Sequence, residues 1–149
     1  MIHIEAKAAP PIEHELVERA ASLVLRHEAA PSAADLTVVL TDDEQLRELN
    51  REYLGHDEPT DVLSFPASEP DPETGVHYLG DVLISMPRAA EQALAAGHPL
   101  ESEVQLLVVH GTLHLLGHDH AETADRARMW AAQAAVLDQL GLAAIKIHE

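Results

Sequence analysis

The sequence predicts an α+β domain: a mixed sheet of about four strands packed with about five helices, one of them a central buried helix that carries clustered histidines. Three observations predict it. Short alternating or β-branched runs occur at four places, and apolar residues recur at helical spacing at about five others. The order strand, helix, strand, helix, strand, strand, then helices interleaves the two kinds. The chain of 149 residues has the length of one domain, and no repeat or linker divides residues 1–149.

Ile2 and Ile4 alternate with His3 and Glu5, which reads as a short strand broken by Pro10 and Pro11. From residue 12 to 27, Ile12, Leu16, Val17, Ala20, Leu23 and Val24 form the apolar stripe of an amphipathic helix. Residues 36–40 are a β-rich run, expected as a buried strand parallel to the first because a helix joins them. Thr41 with Glu44 three residues on has the pattern of a capping box, opening a helix that ends near Gly55. Residues 62–65 read as a strand closed by Pro66, residues 67–77 as a loop, and residues 78–86 as a further strand. Pro87 opens an Ala-rich helix ending at Gly97. Residues 102–116 form a strongly apolar helix stopped by Gly117, expected to lie buried against the sheet, and residues 121–140 a last amphipathic helix.

Composition narrows the chemistry. The absence of cysteine excludes disulfides, thiol catalysis and Cys-ligated metal. One Trp, two Tyr and one Phe leave the core to aliphatic side chains and provide little for a base-stacking platform. The formal net charge is -17, and residues 41–81 alone hold two basic against twelve acidic residues. Such a chain does not grip long nucleic acid by bulk electrostatics. The N-terminus has no secretory pattern, and no apolar run nears the ~20 residues of a membrane span, so no membrane role and a cytoplasmic location are expected.

The informative stretch is His110-Gly111-Thr112-Leu113-His114-Leu115-Leu116-Gly117-His118-Asp119-His120. His110 and His114, four apart on a helix, project from one face and can share a metal. His118 would continue that line. On an unbroken helix His120 would be rotated by about 280° from His110. A left-handed Gly117 ends the helix and lets the chain turn His120 back, which favours His120 as third ligand. The His-x3-His-x5-His spacing matches the zinc run of metzincin proteases, but Gly111 stands where those enzymes carry their general base. Asp119 is either an acceptor for a ligand N–H or a solvated loop carboxylate. Thr60 and Asp61 either order the turn before the third strand or serve the site, and Asp81 is either a support for the site or a strand-edge carboxylate.

The run HGTLHLLGHDH, together with PTDVLSFP at 59–66 and GDVLIS at 80–85, resembles the YbeY family of bacterial rRNA-maturation endoribonucleases, over almost the whole chain. The resemblance implies one zinc ion per chain held by His110, His114 and His120. It also implies single-strand-specific RNA cleavage in 16S rRNA 3′-end maturation and ribosome quality control. The substrate would be an rRNA precursor, and the charge of -17 calls for a ribosomal or ribosome-associated protein partner. Where many members carry an arginine after the aromatic of the second patch, this chain has Leu54 after Tyr53, and Arg51 is the candidate substrate contact. The family often has Tyr at the place of His118, which here is a spare imidazole, an acid/base or a fourth ligand; His118 and Asp119 are the catalytic candidates. Two other readings stay open: a metallohydrolase acting on a peptide or small ester, and a non-enzymatic ribosome-associated factor with a structural metal.

Overall fold

The computed structural model describes residues 2–30, 34–55, 60–67, 77–119 and 122–145. Four strands and five helices follow one another as β1 (Ile2–Ala6), α1 (His14–His27), β2 (Ala34–Thr41), α2 (Asp43–Leu54), β3 (Val62–Pro66), β4 (His77–Ser85), α3 (Met86–Ala96), α4 (Leu100–Leu115) and α5 (Thr123–Gln139). The sheet order is β1-β2-β4-β3. The α1 crossover makes β1 parallel to β2; β2 is also parallel to β4, with α2 and β3 between them in the chain, and β3 runs antiparallel to β4 at the edge.

Strand alternation divides the core in two. Leu36, Val38, Leu40, Val82 and Ile84 face a large cluster built with α1, α3, α4 and α5. Val39, Leu63 and Leu83 point the other way and meet Leu46 of α2 in a smaller cluster. The sheet is therefore covered on both faces, and that double cover accounts for the near-continuous apolar runs of β2 and β4. Helix α4 buries eleven of its sixteen residues. An all-round apolar helix has no solvent face to keep wet, so it lies between the sheet and α1, α3 and α5.

The start of α2 corrects the capping expectation. Thr41 is the last residue of β2, paired with Ser85 of β4. The cap is Asp42, whose Oδ1 accepts from the Gln45 N–H at 2.9 Å, while the Thr41 hydroxyl bonds the Gln45 side chain. The ladder holds Thr41 extended, and the first residue released from it becomes the cap. The neighbouring α3 is capped by Ser85, whose Oγ accepts from the Arg88 N–H at 3.3 Å.

Asp43 ties the two helix starts together. Its carboxylate accepts from Arg88 Nε at 3.0 Å and Nη2 at 3.2 Å, and from Ser85 Oγ at 3.2 Å. The hydrogen bonds from the Arg88 guanidinium hold the Asp43 carboxyl below its ordinary range against a smaller opposing effect of burial. A folded-state pKa below the unfolded ~3.9 means that the contribution is complete above that value and lost as pH falls through the folded one. Asp43→Asn is expected to cost roughly 0.5–1 kcal/mol at pH 7, the range of a half-exposed pair. The difference from wild type should shrink below pH 4 in paired urea titrations, and a difference that stays constant down to pH 2 contradicts the assignment.

Candidate metal centre

The candidate centre forms where buried α4 emerges beside edge strand β3. His110 and His114, one turn apart, are half-buried among neighbours that are mostly fully buried. Their rings stand edge to face, with centroids 4.8 Å apart and planes at 73°. Both line a cleft of about 350 Å³ whose other wall is β3 and the two residues before it, contributed by Thr60, Asp61, Val62, Leu63, Ser64 and Pro66.

His110 is held from behind. Its Nδ1 lies 2.9 Å from Oε1 of Gln133, a fully buried side chain of α5, and the Trp130 ring packs on it at 5.8 Å. Because Oε1 is an acceptor, Nδ1 carries the proton, which fixes the tautomer with the lone pair on Nε2. That is the form in which a histidine binds a metal, with its other nitrogen donating to an acceptor behind it. Gln133 was not singled out in the sequence. Its signal was there: it sits on the stripe of Met129, Ala132, Val136 and Leu137, a polar side chain at a core position of α5.

Helix α4 ends as the glycine predicted. Gly117 takes φ +96°, its N–H donates to the His114 carbonyl at 3.0 Å, and the His118 N–H donates to the Leu113 carbonyl at 3.1 Å. This is the paired 5→2 and 6→1 arrangement of a Schellman motif. His120 lies outside the described residues, so two of the three expected ligands are brought together among those described. His118 and Asp119 line a second cleft with Leu116, Gly117, Asp125 and Arg128, and not the cleft of His110 and His114. The His118 Nε2 is hydrogen-bonded to Glu28, the C-terminal cap residue of α1. Arg51 is exposed on the last turn of α2. Asp81 belongs to the opposite face of the sheet, where the Tyr78 hydroxyl donates to it and lies 2.7 Å from Thr37 Oγ1. Burial raises the Tyr78 pKa.

Gly111 explains why no base follows the first histidine. A Cβ at this position would lie 2.5 Å from Val82 Cγ1 and 3.2 Å from both Ser64 Oγ and Val62 Cγ2. The helix backbone touches the sheet there, and Ser64 Oγ donates to the Gly111 carbonyl at 2.9 Å. A glutamate side chain has no room on that face.

Two expectations follow. Gly111→Ala gains about 1 kcal/mol of helix propensity but overpacks a closed contact, which costs about 1–3 kcal/mol, so a net loss in chemical denaturation is expected and a gain would contradict the close approach. Gln133→Leu keeps the core apolar but removes the acceptor from His110. Zinc affinity should fall about 10–100-fold in competition titrations, and an unchanged affinity means that the hydrogen bond does not orient a ligand.

Comparison with known proteins agrees with this architecture. The sequence profile of the Endoribonuclease YbeY family matches residues 3–141. The Endoribonuclease YbeY of Desulfitobacterium hafniense is 44% identical over 133 residues, covering 85% of both chains. That of Geobacillus kaustophilus is 43% identical over 136 residues, covering 86% of both. The solution structure of TM1509 from Thermotoga maritima superposes with a TM-score of 0.59 at 25% identity, over 95% of this chain and 92% of that one. A family match from residue 3 to 141, joined to this identity over most of both chains, places the protein in the endoribonuclease YbeY family.

Proposed function

We propose that this protein is a zinc-dependent endoribonuclease that cleaves single-stranded RNA hydrolytically, with one ion per chain held by His110, His114 and His120. The observation that carries the reading is the pair of imidazoles at an open cleft, one of them held from behind through Nδ1 by Gln133, which leaves Nε2 for a metal. Neutral nitrogen donors suit zinc and leave its charge intact. When bound, the ion supplies Lewis-acid stabilisation of charge on the phosphate oxygens and activates a water nucleophile.

The chain's own groups do the rest. Gln133 orients His110, and Ser64 pins α4 against β3 so that the histidines keep their distance from the cleft wall. Arg51 is the proposed phosphate contact. Its helix end borders the edge strand, because Tyr53 meets Phe65 of β3 edge to face at 5.6 Å. With a net charge of -17 the protein lacks a broad basic footprint, so the substrate is drawn to the cation site alone. A ribosomal or ribosome-associated protein that presents the rRNA precursor would supply the remaining affinity. This fits a role in 16S rRNA 3′-end maturation and ribosome quality control in the cytoplasm. Among the described residues no helix is long and apolar enough to cross a membrane.

The test combines metal analysis with a cleavage assay on one preparation. Protein purified without chelator should carry about one zinc per chain and cut a labelled single-stranded RNA faster than its duplex. His114→Ala should lose the metal, because two ligands remain of three, and at least about 100-fold of the cleavage rate, with its circular dichroism unchanged. Full metal retention and full cleavage in that variant overturn the reading. Turnover of a peptide or ester with RNA left intact would instead favour a metallohydrolase of another substrate class.

A further inference from the structure

Helix α4 carries a second polar feature. Glu103 is fully buried, and it lies seven residues before His110, two turns earlier on the same face. Burying a carboxylate costs several kcal/mol unless its oxygens are satisfied. Here both are. Oε1 is 2.6 Å from His98 Nε2, and Oε2 lies 3.0 Å from the Gln92 side-chain amide, whose oxygen and nitrogen both find partners only when its NH2 is the group turned toward Glu103 and Asp61. The same NH2 group of Gln92 donates to Asp61 Oδ2 at 3.3 Å. Asp61 in turn lines the cleft with His110 and His114, and among the described lining residues it is the one carboxylate.

The main chain reinforces this line. The Asp61 carbonyl accepts from the N–H of Ser85 at 2.9 Å. Ser85 caps α3, and Gln92 follows it by seven residues on that helix. Asp61 is thus tied to α3 through its backbone and through its side chain. An apolar residue at Glu103 would pack this interior with less desolvation. A chain of satisfied polar groups that runs from His98 through Glu103 and Gln92 reaches the cleft at Asp61. With Oδ2 engaged by Gln92, Oδ1 is the oxygen with acceptor capacity for a water.

We propose that Asp61 is a catalytic residue of this cleft, the carboxylate that takes the proton of the attacking water, and that Gln92, Glu103 and His98 are positioning residues that hold it. The proposal rests on the hydrolytic reading above and deepens it. In the step, the water oxygen bonds to phosphorus and its proton passes to an Asp61 oxygen. The bond from phosphorus to the leaving ribose oxygen breaks, that oxygen takes a proton from solvent, and Asp61 returns its own to solvent. The carboxylate just before β3 then does what no side chain at position 111 has room to do.

Asp61→Asn is close in shape and keeps an acceptor for Gln92. It should lower kcat by about 100- to 10,000-fold, the range for a lost general base, with KM and zinc content unchanged. Its Kd for a short hydrolysis-resistant single-stranded RNA analogue, read by fluorescence anisotropy with zinc-loaded protein, should be equal or tighter, since a negative charge has left the cleft. Gln92→Leu should lower kcat by about 10-fold or more through misplacement of Asp61, with KM and zinc content unchanged. In the Asp61→Asn background it should lower kcat no further, the non-additivity expected of groups acting as one unit. Wild-type kcat in Asp61→Asn, loss of zinc from it, or a fully additive Gln92→Leu effect overturns the proposal. Failure of the underlying reading is separate: His114→Ala would then still cleave. A wild type that cleaves and an inactive His114→Ala leave that reading standing, and an active Asp61→Asn then sinks this inference alone.

Discussion

The contact between Gly111 and the sheet is the constraint on which the rest of the site depends. Val82 Cγ1 would be 2.5 Å from any Cβ at this position, so backbone and strand meet with nothing between them. A helix seated that deeply must be apolar nearly all round, and α4 is. Close seating also brings the His110 turn level with β3. Because β3 is the edge strand, the cleft between them opens to solvent and does not close into the core. One missing side chain thereby sets the depth of the helix, the exposure of the two histidines and the face from which no base can come.

The polar groups around the histidines are arranged by elements far apart in the chain. Gln133 reaches His110 from α5, Ser64 reaches Gly111 from β3, and Gln92 reaches both Glu103 and Asp61 from α3. Each is a hydrogen bond between groups whose own helix or strand is locked by the core. Such preorganisation is what a hydrolytic site needs, since groups already placed require no rearrangement when charge develops. It also separates the two clefts of the protein. His118, held by Glu28 at the end of α1, closes the junction of α1 and α4, while His110 and His114 face β3.

The strongly negative chain and the phosphate substrate of an endoribonuclease pull in opposite directions. The described site meets this by local means: neutral imidazoles that can hold a cation, and a cleft wall with a single carboxylate, Asp61, among its described residues. Three other acidic residues of 41–81 are engaged elsewhere: Asp42 caps α2, Asp43 binds Arg88, and Asp81 bonds Tyr78 on the opposite sheet face. Charge at the site and charge of the molecule are therefore different quantities, and the first governs the chemistry.

Local pattern alone determined the strands, the helices, their α+β order and the parallel pairing of β1 with β2, because side-chain period and crossover handedness are properties of neighbouring residues. It also determined the end of α4, since a glycine after an apolar helix can take the positive φ that Gly117 adopts. The capping of α2 escaped it by one residue. Pairing of Thr41 with Ser85 is a contact across 44 positions, and that pairing decides where the strand releases the chain. Tertiary structure alone decided the partners of the site: Gln133 behind His110, Glu28 on His118, and Gln92 between Asp61 and Glu103. The sequence names the side chains able to make such bonds, but a hydrogen bond reaches about 3 Å, and which groups come within that distance is settled by how helices and sheet pack.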